Sequence, residues 1–244
     1  MKIENIIALI TGGAARIGRA IALHLAQKGA RIALHYYSNT SQAETTFKEL
    51  ITIQPDSLLL RGDIRQRADW ENMRQAILQR WGRIDILINN AAIFYRTPFF
   101  DIQDEDWDNF LNTNLKGIFL GSQIMGKVMV EQKSGKIINI ADVSAETIWK
   151  DYIPYCVSKA GVLALTRGLA KALAPYVLVN AISPGTVLLA ENYDAQEENR
   201  LIERTPLKRI GTPEDIARTV EFLIEGSDFI TGAVIPVDGG RRLT

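Results

Sequence analysis

The sequence predicts an α/β protein with a doubly wound parallel sheet of about seven strands and helices on both faces. Short apolar runs alternate with longer runs in which apolar residues recur at helical spacing. A glycine-rich turn follows the first apolar run, as it does in sheets that bind nucleotides there. The 244 residues suit one large domain, residues 1–244, because no repeat, low-complexity tract or linker divides them.

The short apolar runs are bounded by turn residues, as strands are. They are Ile6–Ile10, Arg31–Tyr36, Ser57–Leu60, Ile84–Asn89, Lys136–Ile140, Val177–Ile182 and Ala233–Val237. The longer runs are predicted to be helices: Arg16–Lys28, Ser41–Ile53, Arg65–Trp81, Asp104–Glu131, Ile153–Ala174 and Pro213–Glu225. Thr212 before Pro213, with acidic residues in the first turn, is typical of a helix start. The alternation indicates parallel strands joined by crossover helices.

A polar segment at about residues 186–206 interrupts this alternation after a predicted strand. Ligands bind beyond the carboxyl ends of the strands in open α/β sheets, so this insertion is a candidate lid over a substrate. A pair of solvated helices explains the composition equally well. The sequence leaves both interpretations open.

Composition limits the classes of partner. Lys plus Arg and Asp plus Glu both number 28, so no excess charge favours nucleic acid or an anionic membrane. Cys156 is the single cysteine, and His24 and His35 lack metal-ligand spacing, so we expect neither an intramolecular disulfide nor a metal site. No uncharged apolar run reaches the length of about eighteen residues that suggests a membrane span. We expect a cytoplasmic protein that acts on a small molecule.

Gly12, Gly13 and Gly18 lie between the first predicted strand and the first helix. Glycine permits a tight turn and lets the backbone approach a pyrophosphate at the helix N-terminus, so the turn predicts nucleotide binding. Arg16 stands where the usual dinucleotide fingerprint has a middle glycine. Its guanidinium would lie near the phosphates and within reach of a substrate. The alternative is a solvated arginine on the first helical turn.

The end of the second predicted strand favours NADPH over NADH. Sites for NAD usually carry an Asp or Glu about twenty residues after the turn, which binds the ribose hydroxyls. Residues 33–39, ALHYYSN, contain no carboxylate, so a 2′-phosphate would meet no repulsion. We expect His35, Ser38 and Asn39 to donate hydrogen bonds to that phosphate. Farther along, Asp63 either binds the adenine amino group or caps a helix.

Tyr155 and Lys159 are four residues apart on a predicted helix and therefore share one face. A free tyrosine, with a pKa of about 10, is a poor proton-transfer catalyst near neutrality. The charge of Lys159 would favour the phenolate and lower the pKa of Tyr155, while its ammonium would hold the nicotinamide ribose. We expect Tyr155 to donate the proton and Lys159 to assist it.

Several ordered motifs together resemble the short-chain dehydrogenase/reductase family. They are Thr11-Gly12 with Gly18, Asn89-Asn90-Ala91, Asn114, Tyr155-x-x-x-Lys159, Pro184-Gly185 and the ending RIGTPEDIA…ITGAVIPVDGG. The resemblance covers essentially the whole chain and implies a single-domain Rossmann fold, a nicotinamide cofactor and a homotetramer. It also implies that Asn114 anchors a water for proton relay, with a helix-bend hydrogen bond to the backbone as the alternative. Asn90 would brace the cofactor, and the backbone of Val187 would bind the carboxamide.

Within this family the chain is most similar to the pteridine reductases. TGGAARIG is similar to their glycine turn, LHYYSN to their segment after the second strand, and NNAAIFYRTP to the segment whose phenylalanine, here Phe94, stacks on the pterin. Asp142 matches the aspartate that they and dihydromonapterin reductases carry in place of the family's usual serine. Two positions depart: Ala92 replaces a serine that contacts cofactor and ligand, and Ser38 replaces a phosphate-binding arginine. The C-terminal half is closer to 3-oxoacyl-carrier-protein reductases.

The identity of residue 142 distinguishes between two classes of candidate substrate, ketones and pterins. A serine there would bind the oxygen of a ketone, whereas a carboxylate repels the developing alkoxide. Reduction of a pterin C=N bond needs a proton on nitrogen, which a carboxylate beside Tyr155 helps to pass. We expect an NADPH-dependent reductase of a dihydropterin, with dihydrofolate as a further candidate substrate. One alternative is a carbonyl reductase of a 3-oxoacyl thioester, diketone or sugar. Another is a nucleotide-binding regulator without catalysis, against which the intact Tyr155, Lys159 and Asn114 argue. For Asp142 itself, the alternative role is that of a helix cap.

The residues expected at the site fall into three groups. The catalytic group is Tyr155, Lys159, Asp142 and Asn114. The cofactor group is Gly12, Arg16, Ile17, Gly18, His35, Tyr36, Ser38, Asn39, Asp63, Ile64, Asn90, Ala91, Lys159, Pro184, Gly185 and Val187. The substrate group is Arg16, Phe94, Asp142 and Tyr155.

Overall fold

A computed structural model describes residues 1–189 and 194–244 and contains one seven-stranded, wholly parallel sheet. Its strands are β1 (Ile7–Ile10), β2 (Arg31–Tyr36), β3 (Leu58–Arg61), β4 (Ile86–Asn89), β5 (Gly135–Ile140), β6 (Val177–Pro184) and β7 (Val234–Val237). Their order across the sheet is β3-β2-β1-β4-β5-β6-β7. The predicted doubly wound α/β fold is confirmed.

The helices connect successive strands on the two faces of the sheet. They are α1 (Arg16–Gln27), α2 (Thr40–Ile53), α3 (Arg67–Trp81), α4 (Asp104–Phe110), α5 (Gly117–Glu131), α6 (Ile153–Ala172), α7 (Ala195–Glu203) and α8 (Pro213–Glu225). Within the described ranges, no helix is long and apolar enough to cross a membrane.

Side-chain alternation along the strands builds two cores. Ala8 and Ile10 of β1 join a cluster with α1 and α8, whereas Ile7 and Leu9 join a second cluster with α3 and α5. All four are buried, because a parallel strand covered on both faces exposes neither set of side chains. The continuous apolar run of β1 is therefore required by its central place in the sheet.

The helix predicted at Asp104–Glu131 is interrupted, which corrects the sequence-based boundary. Residues Leu111–Lys116 between α4 and α5 are π-helical. Single π-helical turns inside α-helices occur often at functional sites. Here the turn buries Asn114 and directs it to the backbone of Ile93. Apolar spacing carries no signal for such a local change of helix type.

The chain reverses its winding direction between β1 and β4, which are adjacent in the sheet. In such folds the crevice beyond the carboxyl ends of the strands at this point receives the ligand. The glycine turn after β1, residues 90–97 after β4 and Asp142 after β5 all follow carboxyl ends. Of the insertion expected at residues 186–206, residues 190–193 lie outside the described residues, and α7 forms part of the remainder.

Candidate active site

The glycine turn after β1 is closely packed against the segment after β4. Gly12 has a φ of +61°, and a Cβ on it would lie 3.0 Å from the Cα of Ala91. A Cβ on Gly18 would lie 2.6 Å from Nδ2 of Asn90 and would also meet the carbonyl oxygen of Gly12. Any larger residue at these two positions would displace the turn.

Asn90 and Thr11 hold this turn to the neighbouring strand. Nδ2 of Asn90 donates to the carbonyls of Thr11 and Gly12 at 2.9 and 3.1 Å. The Thr11 hydroxyl accepts from the backbone N–H groups of Asn90 and Ala91 at 2.9 and 3.1 Å. The structure therefore places Asn90 as a brace between the β1 turn and β4.

Arg16 opens α1 with a φ of +51°, a left-handed conformation that costs a non-glycine residue about 1 kcal/mol or more. Its side chain is exposed, and its Nη2 donates to the carbonyl of Leu189 at 3.3 Å. Glycine would adopt this backbone without strain. An arginine nevertheless occupies this position and contacts the segment after β6, on the predicted substrate side. Ile17, the next residue, is partly buried.

His35 requires a correction, because it lies inside the protein with both ring nitrogens engaged. Its Nδ1 accepts from the backbone N–H of Gly12 at 3.1 Å, so its Nε2 carries the proton that is donated to the Gly62 carbonyl at 3.0 Å. Burial lowers the pKa of His35. A neutral imidazole with both nitrogens hydrogen-bonded has no donor left for a 2′-phosphate. Its role is to fix the glycine turn.

The neighbours of His35 remain at the carboxyl edge of β2. Tyr36 is partly buried, whereas Ser38 and Asn39 are exposed. Oδ1 of Asn39 caps α2 by accepting from the backbone of Gln42 at 3.0 Å. Ser38 and the amide nitrogen of Asn39 are therefore the predicted donors that still face this edge.

Asp63 is paired with an arginine that sequence analysis missed. The carboxylate accepts from Nε and Nη2 of Arg65, with distances of 2.7–3.0 Å, and from the Arg65 backbone N–H at 2.9 Å. Partial burial alone would raise the pKa of Asp63, but the hydrogen bonds and charge of Arg65 outweigh it and lower the pKa. Nη2 of Arg65 also reaches the Tyr37 hydroxyl at 3.3 Å. Ile64, between them, is buried and accepts from the indole of Trp70.

The centre of the site is the contact between Tyr155 and Asp142. The Tyr155 hydroxyl donates to Oδ2 of Asp142 at 2.9 Å, while Oδ1 accepts from the backbone N–H of Ser144 at 2.8 Å. Asp142 precedes a short 3₁₀-helix, Val143–Ala145, which it caps. The structure therefore gives Asp142 both alternatives raised by the sequence: a contact with the tyrosine and a helix cap.

Lys159 lies one turn after Tyr155 on α6 and is 3% exposed. Its Nζ donates to the carbonyl of Ile140 at 2.9 Å and lies 5.7 Å from the centroid of the Tyr155 ring. Burial lowers the pKa of Lys159 from 10.5 to about 8, against the opposing charge of Asp142. The ammonium is thus held near the phenol ring by the end of β5.

The direction of the Tyr155 pKa contradicts the sequence-based expectation. Burial and the carboxylate of Asp142 raise the pKa of Tyr155 well above 10. Burial likewise raises the pKa of Asp142, although the Ser144 hydrogen bond and Lys159 oppose the change. A neutral phenol beside a carboxylate is a proton donor. Tyr155 is therefore expected in its protonated form rather than as a phenolate.

Asn114 is saturated by local partners. Its Oδ1 accepts from the backbone N–H of Ile93 at 2.9 Å, and its Nδ2 donates to the Ile93 carbonyl at 3.1 Å and to the Ser158 hydroxyl at 3.2 Å. The Ser158 hydroxyl in turn donates to the Tyr155 carbonyl at 2.6 Å. The side chain links the π-helical turn to the loop after β4 and to α6, and it makes no direct contact with the Tyr155 hydroxyl.

Three aromatic rings, those of Phe94, Trp149 and Tyr152, form a wall beside Tyr155. Phe94, 43% exposed, stacks on Tyr152 with centroids 4.9 Å apart and planes 1° from parallel. Its edge contacts with Tyr155 and Trp149 have centroid distances of 4.9 and 6.4 Å. The backbone of Thr97 donates to the Asp151 carbonyl at 2.7 Å and joins the two loops that carry the rings. Sequence analysis found Phe94 but missed Trp149, because no spacing rule connects it with the catalytic pair.

The end of β6 supplies the remaining predicted contacts. The backbone N–H of Gly185, after Pro184, donates to the Val237 carbonyl at 3.0 Å, and a Cβ on Gly185 would lie 2.8 Å from the Cα of Asp238. Val187 is buried against the core formed by α1 and α8. These residues adjoin the carboxyl edge but lie on the side away from β2.

The sequence is similar to those of known reductases. A family model described as enoyl-(acyl carrier protein) reductase matches residues 12–242. A 3-oxoacyl-[acyl-carrier-protein] reductase of Synechocystis sp. is 34% identical over 239 residues, which are 96% of each chain. The 3-oxoacyl-[acyl-carrier-protein] reductase of Staphylococcus epidermidis is 33% identical over 240 residues, 97% of this chain and 98% of the other. None of these relatives bears a pteridine reductase name, so the expected subfamily is not shown by them.

Solved structures give the same result for the fold. A candidate gluconate dehydrogenase from Agrobacterium tumefaciens superimposes with a TM-score of 0.94 at 31% identity, over 100% of this chain and 98% of the other. A candidate short-chain alcohol dehydrogenase from Sinorhizobium meliloti 1021 superimposes with a TM-score of 0.92 at 31% identity, over 100% of both chains. With the glycine turn, the Tyr155–Lys159 pair and these relatives, the chain belongs to the short-chain dehydrogenase/reductase family of oxidoreductases.

Proposed function

We propose that the protein is an NADPH-dependent reductase of a pteridine-type C=N bond, taking a dihydropterin to a tetrahydropterin. The observation that carries this proposal is the 2.9 Å hydrogen bond from the Tyr155 hydroxyl to the Asp142 carboxylate. This carboxylate stands where the family's usual serine would bind a carbonyl oxygen. It suits a substrate that gains a proton on nitrogen better than one that develops an alkoxide.

The residues present fit a nicotinamide dinucleotide. Gly12 and Gly18 leave a cradle that a Cβ would fill, at the start of α1 where a pyrophosphate is favoured. Residues 33–39, at the end of β2, contain no carboxylate that would repel a 2′-phosphate. The Lys159 ammonium would hold the nicotinamide ribose, and Val187 the carboxamide. When bound, the cofactor supplies the hydride.

The protein's own part is proton transfer. Tyr155 would donate its phenolic proton to the substrate nitrogen while the hydride is accepted by the neighbouring carbon. Solvent would then replace the lost proton, and the Asp142 carboxylate, whose pKa burial raises, would relay it to Tyr155 across their existing hydrogen bond. Lys159 would stabilise the transient phenolate, since its Nζ lies 5.7 Å from the ring centroid. The negative Asp142 also favours a ring nitrogen that carries positive charge.

The aromatic wall supports a flat, conjugated substrate. Phe94 is the most exposed of its rings and already makes a parallel stack with Tyr152. A pterin ring is planar and would stack on the free face of Phe94 in the same way. Arg16, which contacts the segment after β6 at Leu189, would face the substrate from another side.

A second candidate is reduction of a 3-oxoacyl thioester, and the names of the relatives favour it. Under that function a protonated Asp142 would have to donate to the substrate oxygen in place of the serine. Because burial raises the pKa of Asp142, its protonated form persists to a higher pH than that of an exposed aspartate. Carbonyl reduction would then rise as the pH falls.

The deciding experiment measures NADPH oxidation with dihydrobiopterin, an acetoacetyl thioester and a simple diketone, for the wild type and for Asp142→Ser. We expect the wild type to reduce the pterin, and the variant to lose most of that activity and gain carbonyl reduction. The matched control is Asp108→Ser, which changes an exposed aspartate on α4. Thioester turnover without pterin turnover by the wild type would establish the second candidate instead.

We also propose that the protein is a homo-oligomer, the homotetramer that the family resemblance implies. An apolar groove on α5, α6 and the π-helical turn is lined by Leu111, Leu115, Phe119 and Leu165. Phe119 is 40% exposed there, an arrangement that a second copy of the chain would cover. Light scattering of the wild type and Phe119→Glu tests this, with a smaller mass expected for the variant.

A further inference from the structure

The positive charge at the adenosine end of the expected cofactor site comes from arginines outside the segment that follows β2. In a dinucleotide site the ribose hydroxyls lie at the carboxyl end of the second strand. Here Tyr37 is the first residue after β2 and is 51% exposed, and Ser38 offers no charge. Any cation that meets a 2′-phosphate must therefore come from a neighbouring element.

Arg65, in the turn between β3 and α3, reaches this place. Its Nη2 donates to the Tyr37 hydroxyl at 3.3 Å, and its guanidinium carbon lies 5.6 Å from the centroid of the Tyr37 ring. Asp63 holds Nε and Nη2 from the other side at 2.7–3.0 Å. Among the described residues Nη1 has no hydrogen-bond partner, so the guanidinium is oriented while one of its amino groups is free.

Arg61 adds a second cation beside the same residue. It ends β3 and is paired in register with Tyr36 of β2. Its Nε donates to the Tyr37 carbonyl at 3.3 Å, and its side chain is exposed. Both arginines thus approach the chain immediately after β2, where the ribose is expected.

Two carboxylates lie close to this turn, Asp63 within it and Asp69 in the first turn of α3, but local donors engage both. Asp63 is paired with Arg65, and Oδ2 of Asp69 accepts from the backbone N–H of Asp63 at 2.6 Å. A phosphate at Tyr37 would therefore meet oriented guanidinium groups first. Charge-assisted hydrogen bonds of this type are stronger than those between neutral groups.

We propose that Arg65, supported by Arg61, recognises the 2′-phosphate of NADPH and is the residue that sets the preference for NADPH over NADH. This inference rests on the proposed function only in requiring that the chain bind a nicotinamide dinucleotide. Asp63 acts as a positioning residue that orients the guanidinium. The arginine from the β3–α3 turn thereby replaces the phosphate-binding group that Ser38 does not provide.

The test is fluorescence titration of NADPH and NADH, without substrate, into the wild type and Arg65→Met. We expect the variant to bind NADPH at least tenfold more weakly and NADH within twofold of the wild type. The double variant Asp63→Asn/Arg65→Met leaves no unpaired carboxylate and should show the same loss of preference. Arg74→Met, which removes an exposed arginine of α3 paired with Glu71, is the matched control and should leave both affinities unchanged.

The readout is the ratio of the two affinities, so a general folding defect, which weakens both, does not imitate the expected result. A ratio within twofold of the wild type in Arg65→Met and in the double variant would overturn the assignment of Arg65. A wild type that binds neither nucleotide would instead contradict the proposed function. A wild type that reduces thioesters but not pterins leaves the assignment of Arg65 intact.

Discussion

The Tyr155 hydroxyl donates a hydrogen bond to Oδ2 of Asp142 at 2.9 Å. The backbone N–H of Ser144 donates to the other carboxylate oxygen at 2.8 Å. The carboxylate thus has one oxygen committed to the short helix that it caps and one committed to the phenol. Because burial and Asp142 both raise the pKa of Tyr155, the phenol is neutral over the physiological pH range. The phenol and the carboxylate therefore share one proton across this hydrogen bond.

Asp142→Asn should lower the pKa of Tyr155 by about one pH unit or more, because the variant keeps the side-chain shape but removes the negative charge. An ultraviolet titration of the phenolate, with the signal of Tyr155→Phe subtracted, measures this value. Asp108→Asn, at an exposed position of α4, serves as the control. An unchanged titration in Asp142→Asn would show that burial alone raises the pKa.

Lys159→Met should stabilise the cofactor-free protein more at pH 7 than at pH 10. The folded-state pKa of about 8 lies below the ordinary 10.5, so protonating Lys159 destabilises the fold fully below about pH 8. This penalty declines as the pH rises from about 8 to 10.5, and at about 1.4 kcal/mol per pH unit it amounts to about 3–4 kcal/mol at most. Loss of the hydrogen bond to the Ile140 carbonyl offsets part of the gain at every pH.

Urea unfolding at the two pH values measures the difference between Lys159→Met and the wild type. The exposed Lys127→Met is the control and should show no such pH dependence. The Lys159 variant should also lose reductase activity while gaining stability at pH 7. A stability difference that is the same at pH 7 and pH 10 would show that Lys159 carries no buried charge.

Gly18→Ala should weaken NADPH binding at least tenfold, because the added Cβ would lie 2.6 Å from Nδ2 of Asn90 and would press on the Gly12 carbonyl. The collision also costs about 1–3 kcal/mol of stability. The matched control is Gly168→Ala on α6, where an added Cβ meets no atom within 4 Å. That control should be about 0.5–1 kcal/mol more stable, since alanine favours the helix. Equal NADPH affinity in both variants would place the pyrophosphate away from this turn.

Much of the fold could be predicted because its cause is local in the sequence. The buried strands read as apolar runs, and predicted β2 coincides with the observed Arg31–Tyr36. The π-helical turn at Leu111–Lys116 was not predictable, because the partner of its buried Asn114 is the backbone of Ile93, 21 residues earlier and outside the helical pattern.

The candidate site likewise has features that the sequence predicts and features that it does not. The Tyr155–Lys159 spacing and Asp142 were recognised from the sequence, but the direction of the Tyr155 pKa depends on burial, which spacing does not report. The sequence assigns His35 to the phosphate because it can donate a hydrogen bond within a segment that has no carboxylate, whereas Gly12 and Gly62 engage both of its ring nitrogens. Arg65 was missed because its partner Tyr37 lies on a different strand connection.

Phe94→Leu should raise the KM for a dihydropterin by roughly two- to tenfold and change kcat little, since an aromatic stack contributes about 0.5–1.5 kcal/mol. Leucine keeps apolar contact with Tyr152 but removes the flat face that a pterin would stack on. The comparison is Phe229→Leu, which changes a phenylalanine that is 98% exposed and outside the site. Steady-state rates of NADPH oxidation give both constants. If KM for the pterin stays the same while KM for an acyl thioester rises, the wall formed by Phe94, Trp149 and Tyr152 binds an acyl chain rather than a ring.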